Sequence, residues 1–366
     1  MSTPIKVAVF STKPYDKHYL QAACPPESNI QLTFHPVPLT PETASLVTKA
    51  SADAVCVFVN DHLPSPVLSH LASSGVRAIL LRCAGSNNVD LPAAQALGLS
   101  VANVPAYSPE AVAEFAVALL QTLNRQTHRA HARVREGNFS LDGLMGRTLR
   151  GKTVGLIGTG RIGVAFARIM SAGFGCRVLA HDPFRNPAFE PYGSYVDDLA
   201  ALLPQCDVLS LHCPLTESTK HVINADTLAL LPDRAILVNT SRGGLVDTKA
   251  LIHALKARKL AGVALDVYEG EGSLFYDDHS GEIIQDDVLM RLLTFPNVIV
   301  CGHQAFFAEE ALREIADCTV RNLQDIMARR PCENALVSPD SSQGGEENRR
   351  SEVKRIRSDS LPVRTV

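Results

Sequence analysis

Little in this sequence points toward nucleic acid or membrane. Its formal charge is only −3 over 366 residues, so a polyanion or an anionic bilayer has no electrostatic claim as the main partner. No apolar run approaches the roughly 18 residues needed to span a bilayer. The opening MSTPIKVAVFSTKPYD enters a strand pattern at once and has neither an Arg-rich amphipathic arm nor a signal-peptide layout. The nine cysteines are scattered, with no C-x-x-C pair and no His/Cys ligand cluster. That excludes the usual disulfide and zinc frameworks, and buried reduced thiols fit better; no metal site is expected. No repeat of solenoid length is visible. The expectation is a soluble cytoplasmic protein whose partner is a small molecule.

What is present is a globular composition, 46% hydrophobic and 20% charged, long enough for two domains. Strand-like runs at Lys6–Phe10, Gln31–Val37, Ala54–Val59, Arg77–Arg82 and Ser100–Val104 alternate with helix patterns at Pro41–Ala50, Ser65–Ser73 and Leu91–Leu97. Such alternation means βαβ units and a parallel sheet. Pro109 to about Arg135 reads as one long helix, a natural crossover and a plausible contact between subunits. A second alternation follows, with strands at Thr153–Ile157, Cys176–His181, Val208–His212, Ala235–Asn239, Gly262–Asp266 and Asn297–Cys301. Another long amphipathic helix, Ala305–Arg330, comes next. Two long helices flanking the second block suggest that the chain leaves the first domain once and returns to it. The last stretch, Ser338–Val366, is rich in Ser, Glu, Arg and Gly and reads as a flexible tail, with basic motifs around Ser351 and Ser358 that suit a kinase.

Within the second block, VGLIGTGRIG carries the chemistry. An apolar strand runs into Gly158, Gly160 and Gly163, spaced G-x-G-x-x-G, and Ile162, Phe166, Ile169 and Met170 follow at helical spacing. The first glycine permits a tight reversal and the second lets backbone N–H groups approach a pyrophosphate. The third lets the helix lie close on the strand. Asp182, nineteen residues past Gly163, ends the next strand-like run. A carboxylate there accepts both ribose hydroxyls and repels a 2′-phosphate, so the cofactor reads as NAD rather than NADP.

A nicotinamide cofactor leaves the protein to polarise and protonate a carbonyl. Arg242 (NTSRGGLVD), Glu271 (DVYEGE) and His303 (VCGHQAF) each follow the end of a strand-like run, where open α/β sheets place ligands. A guanidinium suits the carboxylate of a 2-oxo acid. A His–Glu pair makes a workable acid, since the carboxylate favours the protonated imidazole and keeps a proton available near neutrality. His212, also at a strand end, reads as a neighbour of the cofactor rather than a rival acid.

The order GTGRIG, HDP, NTSRGGLVD, ALDVYEGE and CGHQAFF resembles the D-isomer-specific 2-hydroxyacid dehydrogenases over about Lys6 to Pro331. RCAGSNNVD, NVPAYSPEAVAEF and the long LFYDDHSGEIIQDDVLMRLLTFPNV are most similar to the D-lactate dehydrogenase branch. The resemblance implies an α/β protein of two doubly wound parallel-sheet domains. A Rossmann NAD-binding domain (108–301, with the long hinge helix) is inserted into a flavodoxin-like substrate domain (1–107 and 302–336). It further implies that Arg242 binds substrate, that His303 is the acid/base and Glu271 its partner, that Gly85 and Tyr107 help hold the substrate carboxylate, and that Phe306 shapes the pocket. Gly158, Gly160, Arg161, Ile162, Gly163, Asp182, Cys213, Pro214, Thr240, Ser241 and Asp266 fall to the NAD side. Relatives often have His where this chain has Arg161, and a cation beside a pyrophosphate is electrostatically reasonable. The expected activity is reduction of pyruvate by NADH to D-lactate by a homodimer. An NAD-sensing transcriptional corepressor on the same fold is the alternative.

Overall fold

The computed structural model describes residues 3–339; the expected tail, with Ser351 and Ser358, lies outside the described residues apart from its first two. The described residues divide into two compact units, 3–108 with 308–339, and Pro109–Phe307.

The strands of the first unit are β1 (Ile5–Val9), β2 (Ile30–Phe34), β3 (Ala54–Val57), β4 (Ala78–Leu81) and β5 (Ser100–Ala102). Those of the second are β6 (Thr153–Ile157), β7 (Arg177–His181), β8 (Ser194–Tyr195), β9 (Val208–Leu211), β10 (Ala235–Asn239), β11 (Leu260–Leu265) and β12 (Val298–Val300). After its return the chain adds β13 (Ala335–Val337) to the first unit.

The first sheet runs in the order β13-β5-β4-β3-β1-β2. AVCV of β3 and AILL of β4 are buried along their whole length, as a parallel sheet covered on both faces requires. The returning helix Glu309–Met327 lies against β4 and the helix Pro14–Ala23, and its Ala316 and Leu323 join Val7, Val9, Cys56 and Leu80 in one core. This helix is shorter than Ala305–Arg330, because residues 305–308 belong to the loop that follows His303. Among the described residues only β13 pairs antiparallel, with β5; three residues at a sheet edge leave too short a pattern to read.

The second sheet, β12-β11-β10-β9-β6-β7-β8, is parallel throughout. Val208, Ile236, Val238 and Ala264 face one side and meet Ala116, Leu120 and Phe166. Their neighbours Leu209, Leu237, Val263 and Leu265 face the other and meet Leu251 and Leu255. This two-residue alternation buries both faces, and it leaves the loops at the carboxyl ends of β6, β9, β10, β11 and β12 as the exposed working edge. The strand order reverses at β6, which lies between β9 and β7; ligands bind at such a switch point.

One expectation needs correction. Residues 109–135 form two helices, Pro109–Arg125 and Thr127–Arg135, broken at Gln126 in a left-handed conformation (φ 53°). The apolar stripe Val112, Ala116, Leu119, Leu120, Leu123 stops there, and the second helix buries nothing. Asn124 at the break exchanges hydrogen bonds with the backbone of Arg147 on both its side-chain atoms (2.8 and 3.1 Å). The chain bends to keep that buried amide satisfied.

Candidate active site

At the end of β6 the chain turns through Gly158 at φ +101°, a conformation that L side chains rarely adopt. A Cβ there would strike the backbone of His212 and Cys213, and one at Gly163 would strike the Gly158 carbonyl. Both glycines are therefore demanded by close packing of the turn on β9 and of the helix Arg161–Arg168 on the turn. Gly160 has no such neighbour; a Cβ there would enter open space at the helix N-terminus. The backbone there is open to approach from outside the chain, the arrangement a pyrophosphate needs.

Asp182 closes this corner. Its Oδ2 accepts from the Thr159 N–H (2.7 Å) and hydroxyl (3.0 Å), and its Oδ1 accepts from the Phe184 N–H (2.8 Å). The carboxylate is thus fixed on the sheet edge with further lone pairs available to ribose hydroxyls. On the other side of the turn, Thr240 is buried and its Oγ1 has no partner, an acceptor and donor waiting for an external group. Ser241 donates its hydroxyl to the Cys213 carbonyl (2.7 Å), joining the β9 and β10 loops. Pro214 beside it is exposed, while Arg161 and Ile162 open the helix. These residues fit NAD and disfavour a 2′-phosphate. Asp182→Ser is expected to raise kcat/KM for NADPH about tenfold or more by removing a like-charge contact, with that for NADH falling; unchanged cofactor preference in steady-state assays would contradict this.

His212 also belongs to this corner. Its imidazole lies on Phe166 (centroids 4.9 Å) with Nε2 against the Ser210 hydroxyl (2.9 Å), and burial pushes its pKa down to about 3. The ring is neutral at working pH and supplies no proton. The unfolded chain takes up this proton near pH 6.5, the folded one only near 3, so stability is lost as pH falls between the two. From pH 7 to 5 the wild type should lose about 2 kcal/mol more than His212→Asn in urea unfolding. Equal losses would refute the assignment.

The second cluster lies at the ends of β10, β11 and β12, adjacent parallel strands about 4.8 Å apart. Beyond β10, buried Asn239 donates to the Arg242 carbonyl (2.9 Å) and accepts from the Ser241 N–H (3.0 Å), fixing the turn that presents Arg242. Gly243 permits this turn to lie on the Tyr268–Glu269 backbone, where any Cβ would collide. Arg242 and the DVYEGE segment are thereby packed together.

Glu271 receives the Tyr268 N–H on Oε2 (2.8 Å) and turns Oε1 to His303 Nδ1 (2.8 Å). Both side chains are mostly buried, with 16% of His303 and 22% of Glu271 exposed, so water screens the pair weakly. His303 itself adopts a left-handed backbone (φ 54°), and three contacts hold it there. Its N–H donates to the Asp266 carbonyl (2.7 Å). The carboxylate of Asp266, with no exposed surface, accepts from the next two N–H groups, Gln304 and Ala305 (both 2.8 Å). Burial pushes the Asp266 pKa up, opposed by those two hydrogen bonds and by His303. Third, the Tyr276 hydroxyl donates to the His303 carbonyl (3.2 Å) while its ring lies 5.9 Å from the imidazole.

The structure therefore brings Glu271, His303 and Asp266 into one network and sets the Arg242 turn against it. Asp266, assigned by resemblance to the cofactor side, also anchors the His303 loop, with one N–H bonded to each carboxylate oxygen. Phe306 is buried, edge-on to Phe307 (6.1 Å). Gly85, after β4, and Tyr107, after β5, belong to the other unit. Cys213 and Cys301 are pushed up to about 11 by burial and offer no thiolate nucleophile. Sequence reasoning missed Tyr276 and Asn239. The Asn of NTSRGG signals a turn, but nothing local marks Tyr276.

A family model described as D-isomer specific 2-hydroxyacid dehydrogenase, NAD binding domain, matches residues 117–305. A 2-hydroxyacid dehydrogenase of Aspergillus oryzae is 63% identical over 91% of this chain and 95% of its own. A D-lactate dehydrogenase of Curvularia clavata is 59% identical over 94% and 98%. Among solved structures, the apo form of Escherichia coli D-lactate dehydrogenase superposes with a TM-score of 0.82 at 47% identity, covering 91% of this chain and all of that one.

Proposed function

This chain belongs to the D-isomer-specific 2-hydroxyacid dehydrogenases, and from that membership we propose that it reduces pyruvate, or a slightly larger 2-oxo acid, to the D-2-hydroxy acid. The observation that carries the reading is the mostly buried His303–Glu271 pair at 2.8 Å, set beside the Arg242 turn. NADH, when bound, supplies the hydride that the carbonyl carbon receives. Because Nδ1 is occupied by Glu271, Nε2 is the atom of His303 that delivers the proton to the carbonyl oxygen. The carboxylate of Glu271 stabilises the imidazolium before transfer and keeps the ring oriented after it. Arg242 grips the substrate carboxylate with its planar fork and draws electron density from the neighbouring carbonyl. We extend the reading to Gly85, Tyr107 and Phe306 as substrate contacts on family likeness alone. The corepressor alternative finds no support in the relatives compared. A panel of 2-oxo acids tests the proposal: the highest kcat/KM is expected for pyruvate, and turnover of none of them would end it.

We further infer a homodimer in the cytoplasm. Val134 near the end of the second helix and Phe139, Leu141 and Met145 just after it are 49 to 95% exposed, apolar side chains of the kind that a contact between copies covers. The nine cysteines are unpaired, as a reducing compartment would keep them, and among the described residues no helix is long and apolar enough to cross a membrane. Light scattering should give twice the chain mass; a monomer at micromolar concentration would contradict the dimer.

A further inference from the structure

At the amino-terminal edge of the second sheet, away from the nucleotide turn, lies a cavity of about 720 Å³. Arg147, Arg234, Lys256, Arg258 and Arg291 line it, over a floor that includes Leu255, Leu260 and Phe295, and its rim includes Met145, which also belongs to the surface inferred above to meet a second copy. No carboxylate lines it. Asp233, next to Arg234, is already engaged by Lys259 (3.0 Å). Five cations border one concavity in a chain whose net charge is −3; four of them are exposed, so water and salt screen their repulsion, and together they form a positive field that attracts an anion.

The backbone adds an independent observation. Arg234 and Arg258 both sit in the left-handed region, at φ 71° and 56°. Arg258 follows the C-cap Ala257 of the helix Thr248–Lys256, the position where glycine is the unstrained choice. Two bulky side chains are thus kept where the backbone favours none, and both line this cavity. Arg147 is held in place by donating from Nη2 to the Arg234 carbonyl (2.6 Å), which leaves its remaining donors for another acceptor. Arg291 stacks on Phe295 (4.9 Å) and donates from Nη1 to the Thr294 hydroxyl (3.3 Å).

We propose that this cavity is a binding site for a compact organic polyanion, a phosphate ester or polycarboxylate, distinct from the dehydrogenase site. Guanidinium forks match carboxylate and phosphate oxygens, and the apolar floor accommodates a carbon skeleton. The site is also coupled by position. Arg234 immediately precedes β10, whose far end carries Asn239 and the Arg242 turn. Arg258 lies just ahead of β11, whose far end leads into Asp266 and the His303 loop. One strand length, about 17 Å, separates an anion here from the chemistry.

Citrate is the probe for the test, titrated into the full chain at ionic strength held constant with sodium chloride. Calorimetry should show saturable binding near one site per chain, and citrate at a hundred times its Kd should raise Tm by about 5–10 °C. The double variant Arg234→Gly/Arg258→Gly relieves the backbone and so should fold at least as well as the wild type. It should bind citrate at least about tenfold more weakly while turning over 2-oxo acid normally in citrate-free buffer. The calorimetric and melting readouts do not depend on the dehydrogenase reading, so either can fail alone. An effect that merely follows ionic strength, or equal citrate affinity in the double variant, overturns the proposal. A changed molecular mass of the double variant also overturns it, because the cations would then serve a contact between copies.

Discussion

Replacing His303 with glutamine should lower kcat for 2-oxo acid reduction by about 10²–10⁴-fold while leaving NADH affinity within about threefold. Glutamine keeps a hydrogen-bonding amide of similar reach, so Glu271 and the left-handed turn retain a partner, but it carries no transferable proton near neutrality. The left-handed backbone at φ 54° and its anchors on Asp266 are main-chain features, so the loop survives the substitution. What disappears is the proton held at Nε2 by a ring whose Nδ1 is fixed 2.8 Å from Glu271. Stopped-flow turnover together with NADH fluorescence titration separates the two effects. Near-normal turnover would mean that the proton comes from elsewhere, and His212, pushed down to about 3, is no candidate.

Arg242→Lys is the second large effect. Lysine keeps the positive charge but offers a single ammonium in place of a planar fork, so the loss reports geometry rather than charge. Losing one charge-assisted hydrogen bond is worth about 1.5–3 kcal/mol, which predicts a rise in KM for the 2-oxo acid of about 10- to 100-fold. The NADH Kd should stay near the wild-type value. The turn is held chiefly by Asn239 and by Gly243 against Tyr268; the guanidinium adds one donation from Nη1 to the Ser241 carbonyl (2.7 Å), a single contact whose loss leaves the fold in place. A KM unchanged within twofold would remove Arg242 from the substrate.

Much of this was readable before any coordinates. The strands Thr153–Ile157 and Ala235–Asn239 agree with the structure to the residue, because buried parallel strands are short apolar runs bounded by turn residues. The pairing of His303 with Glu271 followed from placing each beyond a strand end in one sheet. What stayed hidden depends on contacts remote in sequence or on backbone conformation. Tyr276 reaches the His303 carbonyl across 27 residues, and both take positive φ, which nothing in their own composition announces. The break at Gln126 serves a bond between Asn124 and Arg147 across 23 residues. Asp266, besides its place on the cofactor side by resemblance, holds the Gln304 and Ala305 amides with its two oxygens, a second duty that its own sequence neighbours do not show. The cationic cavity gathers its five cations from four separate stretches between Arg147 and Arg291, each an ordinary surface charge in the linear chain.

The most direct measurement is to incubate the purified chain with pyruvate and NADH, follow the loss of NADH absorbance, and resolve the product on a chiral column. Pyruvate-dependent oxidation of NADH giving D-lactate alone is the predicted result. No oxidation, or L-lactate as the product, would contradict the roles of Arg242 as substrate clamp, His303 as proton donor and Glu271 as its partner.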